Sequence, residues 1–351
     1  MVLGLATAAS AQFQILDSKT TASLRGIDAV SPQVAWASGS GGTVLLTTDG
    51  GSNWKHCAVP TGGEKLDFRG VQGFDETNAF VMASGKGPQS AVYKTVDGCT
   101  TWKLVLSDPD PDGFFDALQF DHAYRMHGTL LGDPVNGAFV LFQTLDGGSH
   151  WTRAVSTGLA AAAPGIGAFA ASNTSYDELH NTFGTGGPGG PYLYTLDPQC
   201  TMLRAQSDPD GCFRDTLQAA AQKLPMAGTT ASQGIFSIVG PVAVGGDYTK
   251  PNESQGTAAF RDPLFEGWLP AKAMPHGYRS AVAHDKSSDT WIAVGPNGTD
   301  ISLDDGRDWT PLKPSPADDP DADKNWNAIS LPFVVGSKGK IGKLKPGILG
   351  K

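Results

Sequence analysis

The sequence predicts an all-β fold: a seven-bladed propeller of four-stranded antiparallel blades, with the ring closed by an N-terminal strand. Three recurring columns predict it, namely an acidic turn motif, an apolar run ending in Gly, and a short segment that opens each repeat. The turn motif is plainest in TTDGGSNW (47–54), TVDGCTTW (95–102), TLDGGSHW (144–151) and SLDDGRDW (302–309). Worn copies stand at TLDPQC (195–200) and FRDPLFEGW (260–268). Intervals of roughly 40 to 65 residues between copies are those of propeller blades.

The Gly-ended column reads VAWASG from Val34, AFVMASG from Ala79, GTLLG from Gly128, NTFGTG from Asn181, VAVGG from Val242, WIAVG from Trp291 and FVVG from Phe333. The opening column reads LRGI from Leu24, FRGV from Phe68, FDAL from Phe115, IGAF from Ile166, QGIF from Gln233, YRSA from Tyr278 and WNAI from Trp326. Each repeat is thus strand, turn, Gly-ended strand, hairpin, strand, acidic turn and outer strand, which makes one blade. The last repeat stops after KIGKL (340–344) with no outer strand, whereas QFQIL (12–16) alternates apolar and polar residues and has no repeat of its own. Pairing the two closes the ring and leaves no long exposed edge. The propeller spans 12–345, with a tail at 346–351.

Composition agrees. The chain of 351 residues carries 45 Gly and 24 Pro with only 17% charged residues, as many short strands and tight turns require. A net charge of -9 repels phosphate backbones, which argues against nucleic-acid binding. No run approaches the ~20 apolar residues of a membrane span. Residues 1–11 read as the remnant of a signal peptide, with Ala9-Ser10-Ala11 as the cleavage site. The four cysteines, Cys57, Cys99, Cys200 and Cys212, suit an oxidising compartment, and spacing leaves all three pairings open. A periplasmic or secreted monomer is expected, with no metal centre and no cofactor.

Repetition argues that the acidic turns are structural. A turn Asp accepts backbone N–H bonds, Gly takes the positive φ values, and Trp supplies a plate between blades. Asp49 with Trp54, Asp97 with Trp102, Asp146 with Trp151 and Asp304 with Trp309 are therefore assigned to the scaffold, and no catalytic residue is assigned. A binding site belongs on the face opposite these turns. Its candidates are Arg25, Arg69, Asp116, Arg279 and Asn327 at the starts of innermost strands, with Lys86, Asp133 and Asp247 at the ends of second strands. Arginines of blades one, two and six would form a cluster suited to a carboxylate or acidic peptide. Internal pairing with the three aspartates is the competing expectation.

Two insertions, SDPDPDGFFDALQ (107–119) and SDPDGCFRDTLQ (207–218), resemble each other. Asp108, Asp110 and Asp112 before Gly113 have calcium-loop spacing, but intervening prolines and Gln119 in place of a closing Glu favour a turn. The alanine-rich stretch 216–224 suggests a short helix, and GTGGPGGP (184–191) a hairpin.

VAWASGSGGTVLLTTDGGSNW, WIAVGPNGTDISLDDGRDW and FVVGSKGKIGKL together resemble the photosystem II stability/assembly-factor-like family of Asp-box propellers. The resemblance runs from Leu24 to Leu344. It implies a non-catalytic assembly scaffold that binds a protein partner, such as a membrane-protein assembly client, through an arginine-bearing face, with Arg25, Arg69 and Arg279 in that role. A photosynthetic host would place it in the thylakoid lumen. The alternative is an Asp-box glycoside hydrolase, sialidase- or glucanase-like, acting on an exported glycan. Phe260-Arg261-Asp262-Pro263 resembles a sialidase Arg-x-Pro motif but lies late in the chain, and no Tyr–Glu pair is evident; Asp116, Asp133 or Asp247 would supply the carboxylates.

Overall fold

The computed structural model describes residues 12–121, 125–197, 217–262, 264–265, 267–314 and 318–349. The signal-peptide assignment, Cys200, Cys212 and most of the second insertion lie outside them. The described strands form seven sheets in sequence around a ring. The innermost strands of blades 1, 2, 3, 5, 6 and 7 are Leu24–Ala29, Phe68–Gly73, Phe115–Phe120, Gln233–Val239, Ala281–Asp285 and Trp326–Ser330. Blade 4 opens on the short strand Tyr176–Asp177. IGAF forms no strand there, only an isolated bridge from Gly167 to Gly186.

The ring closes as expected. Phe13–Leu16 pairs antiparallel with Ile341–Leu344, completing blade 7 as its outermost strand. Blade 4 departs from the pattern. Its Leu217–Lys223 is a strand paired with Tyr192–Asp197 rather than the expected helix, and Ser156–Thr157 adds a fifth strand parallel to it. Alanine's helical preference is a fraction of a kcal/mol per residue, and an open sheet edge beside the segment overrides it.

The Gly-ended column supplies the second strands, and these are the most buried. Ala35–Gly39, Ala79–Ala83, Val242–Asp247, Thr290–Gly295 and Phe333–Gly336 are buried at every position. Sandwiched between neighbouring blades, they face apolar side chains on both sides, so they read as continuous apolar runs rather than alternating ones.

The acidic turns fasten blade to blade. Oδ1 of Asp49, Asp97, Asp146 and Asp304 accepts the backbone N–H four residues on, at 2.8 to 3.0 Å. The Thr47 hydroxyl accepts from the Gly51 N–H at 2.9 Å. The box tryptophans reach the preceding blade: Trp54 meets Phe333 edge-on at 5.8 Å and Trp102 meets Trp36 at 6.4 Å. Gly51 has a φ of +89°, and a Cβ there would stand 2.9 Å from the Phe333 ring. In blade 2 that position is Cys99, which holds a φ of +61° and is disulfide-bonded to Cys57 of blade 1.

Candidate functional site

Antiparallel alternation places the starts of the innermost strands at one end of each blade and the acidic turns at the other. At the first end lies a cavity of about 490 Å³. What aims side chains into it is a β-bulge repeated around the ring. Leu24 faces Gly39 and Gly26 faces Ser38, so Arg25 is an extra residue with no partner across the strand pair. The same break isolates Arg69 in blade 2, Asp116 in blade 3, Phe236 in blade 5 and Asn327 in blade 7. All five line the cavity. A bulge bends its strand and turns the extra side chain out of the regular alternation, which brings five residues of five blades to one place.

Arg25 and Arg69 flank Asp67. Arg69 Nε donates to Asp67 Oδ2 at 2.9 Å, and Arg25 Nε stands 3.7 Å from Oδ1 without a hydrogen bond. Arg69 Nη1 also donates to the Ala170 carbonyl oxygen at 3.3 Å. One carboxylate thus serves two guanidiniums, each about a third exposed (33% and 31%), which leaves donors for a ligand. Asn327 Nδ2 donates to the Leu24 carbonyl oxygen at 2.7 Å, tying blade 7 to blade 1.

Asp116 is 1% exposed, and neither of its oxygens has a hydrogen-bond partner. Burial pushes its carboxyl well above the ordinary range; Asp133 pushes it further, and Arg69 opposes both. Burial likewise raises Asp133 to about 6, against a hydrogen bond from the Ala168 N–H to Oδ1 at 2.9 Å.

The other sequence candidates lie apart from the cavity lining. Arg279 is fully buried: its Nε donates to Asp300 Oδ2 at 2.7 Å and its Nη1 to the Tyr278 carbonyl and Asn297 Oδ1. Its guanidinium is therefore spent inside blade 6, and the expected three-arginine cluster is a pair. Lys86 is exposed and pairs with Asp112 at 2.8 Å. Asp247 is buried, but its carboxyl is held low because bonds from the Thr249 N–H and hydroxyl, at 3.0 and 2.7 Å, outweigh that burial. The arginines pair with Asp67 and Asp300 rather than with Asp116, Asp133 or Asp247.

Two aromatic neighbours of Phe236 complete the site, and none of the three was expected from the sequence. Phe169 stacks on Phe236 at 3.8 Å, and Tyr278 meets Phe236 edge-on at 4.8 Å. Tyr248 stands at the rim, half exposed. The cavity therefore has a cationic side at blades 1 and 2 and an aromatic side at blades 4 to 6.

Solved structures share this architecture. YCF48 bound to a D1 peptide aligns over 98% of this chain and 99% of its own, at 14% identity and a TM-score of 0.57. YCF48 from Cyanidioschyzon merolae aligns over 96% and 99%, at 18% identity and a TM-score of 0.60. The likeness is one of fold. An ancestral GH74 enzyme has it too, at 12% identity and a TM-score of 0.54, with 97% of this chain covering 47% of that one. No protein-family model matches the chain, and no curated protein matches it.

The calcium-like turn is occupied by its own contacts. Asp108 Oδ1 accepts the Asp110 N–H, Asp110 pairs with Arg153 at 2.9 Å, and Asp112 pairs with Lys86. Among the described residues no group of three His, Cys, Asp or Glu side chains is arranged to hold a metal ion.

Proposed function

We propose that this chain is a non-catalytic scaffold that binds an extended segment of a partner protein in the central cavity, on the face opposite the acidic turns. The observation that carries the reading is the set of five bulges that turn Arg25, Arg69, Asp116, Phe236 and Asn327 into one cavity. Two guanidiniums sharing one carboxylate suit an acidic or carboxylate-bearing group, and the aromatic side suits an apolar neighbour in the same segment. The peptide-bound YCF48 of the same fold supports a bound segment as the ligand. The Cys57–Cys99 disulfide fits an exported protein.

A photo-crosslinking amino acid at Tyr248, on the rim, tests the reading against one at Ser52, on the acidic-turn face. Adducts to a discrete protein from position 248, lost in the R25A/R69A variant, are the expected result. Adducts from position 52 alone, or unchanged adducts in the variant, would refute it. A second reading, glycoside hydrolysis, rests on Asp116 and Asp133 as two neighbouring protonatable carboxyls. Turnover of an oligosaccharide abolished by D133N would replace the scaffold with that enzyme.

A further inference from the structure

We infer that Asp116 is the hydrogen-bonding floor of the central cavity and takes a carboxamide, the side chain of an Asn or Gln in the bound segment. The inference rests on the scaffold reading above and names what its cavity recognises. Asp116 lines the cavity, is 1% exposed, and has no hydrogen-bond partner for either oxygen. Buried polar atoms are nearly always paired, so an unpaired carboxyl on a residue that lines a cavity is a site awaiting its partner.

The surroundings choose the partner's chemistry. Arg25 and Arg69 line the same cavity and oppose an ammonium or guanidinium there. A carboxylate suits the arginines, but at Asp116 it would meet the charge of Asp133, whose carboxyl at about 6 is ionised at pH 7. A carboxamide meets neither objection. Its N–H₂ donates to a carboxyl in either protonation state, and its carbonyl accepts from a protonated one. Phe169, half-buried and stacked on Phe236, lines the same cavity and adds an apolar side.

The test uses two neutral probes that differ only in this group, 3-phenylpropanamide and methyl 3-phenylpropanoate, followed by NMR of the intact chain carrying 13C-labelled aspartate. The amide is expected to bind at least tenfold more tightly than the ester and to move the Asp116 carboxyl resonance. Asp116→Asn, which keeps one donor and one acceptor, retains the preference; Asp116→Leu abolishes it. Equal binding of the two probes by the wild type overturns the inference, and that comparison stands even where the leucine variant fails to fold. Retention of the preference in folded Asp116→Leu overturns it as well. Loss of the amide preference with crosslinking at position 248 intact removes this inference alone. An amide preference without partner crosslinking removes the scaffold reading instead.

Discussion

Arg279 Nε donates to Asp300 Oδ2 at 2.7 Å, with neither side chain exposed to solvent. The pair is knitted further, because Asp300 Oδ1 also lies 2.8 Å from His276 Nδ1. Removing one member of such a pair strands a buried charge, so Asp300→Ala or Arg279→Ala should each cost about 3–5 kcal/mol in urea unfolding. The double variant R279M/D300L removes both charges and should lose far less than the sum of the singles. Strict additivity would mean that the two side chains do not depend on each other.

The same pair explains where the sequence was legible and where it was not. The three columns give the ring, its seven blades and its closure, because turn chemistry and buried second strands leave direct traces. The site was only partly legible. Reading YRSA with Tyr278 first aligns Arg279 with Arg25 and Arg69. The structure instead aligns Arg279 with Leu24 and Phe68, and Ser280 with the bulged position. A one-residue slip exchanges the buried and open sides of a strand, so Arg279 passed from core to face in that reading. QGIF slips by two, which keeps the side of the strand but puts Gly234 at the bulged position in place of Phe236. No composition signal marks a bulge, although the small residue after each bulged one (Gly26, Gly70, Ala117, Ser237, Ala328) was there to fix the register.

The Cys57–Cys99 disulfide joins blade 1 to the acidic turn of blade 2 across 42 residues. Closing a loop of that size restricts the unfolded chain, and C57S/C99S should lose about 2–4 kcal/mol in denaturant unfolding. Cys99 holds a φ of +61° where Gly51 and Gly148 stand in neighbouring boxes. Replacing it with Gly relieves that conformation, so C57S/C99G should recover part of the loss, roughly 0.5–1 kcal/mol. Equal stabilities for the two variants would show that the turn holds no strain at this residue.

The acidic turns set the response to acid. Bonds from the Thr101 hydroxyl and N–H hold Asp97 at about 2; in Asp146, burial is outweighed by bonds from His150, also giving about 2. A depressed folded pKa gives stability that is present above the unfolded value of 3.8 and lost as pH falls through about 2. Wild-type stability should therefore drop between pH 4 and pH 2. D97N/D146N should be less stable at pH 7 and show a shallower drop in that window. Parallel pH profiles for variant and wild type would remove the boxes from the acid response.

Asp133 works in the opposite sense. Its folded pKa, raised by burial to about 6, lies above the ordinary 3.8. Folding then favours the protonated form, so the contribution is fully present below pH 4 and is lost as pH climbs through 6. Asp133→Asn removes the ionisation while its side-chain oxygen can still accept the Ala168 N–H. The variant should gain roughly 1–3 kcal/mol over wild type at pH 8, match it near pH 4, and flatten the profile between them. It also frees Asp116 of a like charge, so the Asp116 carboxyl should titrate at a lower pH in the same variant. A variant less stable than wild type at pH 8 would mean that the hydrogen bond from Ala168 to the Asp133 carboxylate outweighs the cost of burying its charge.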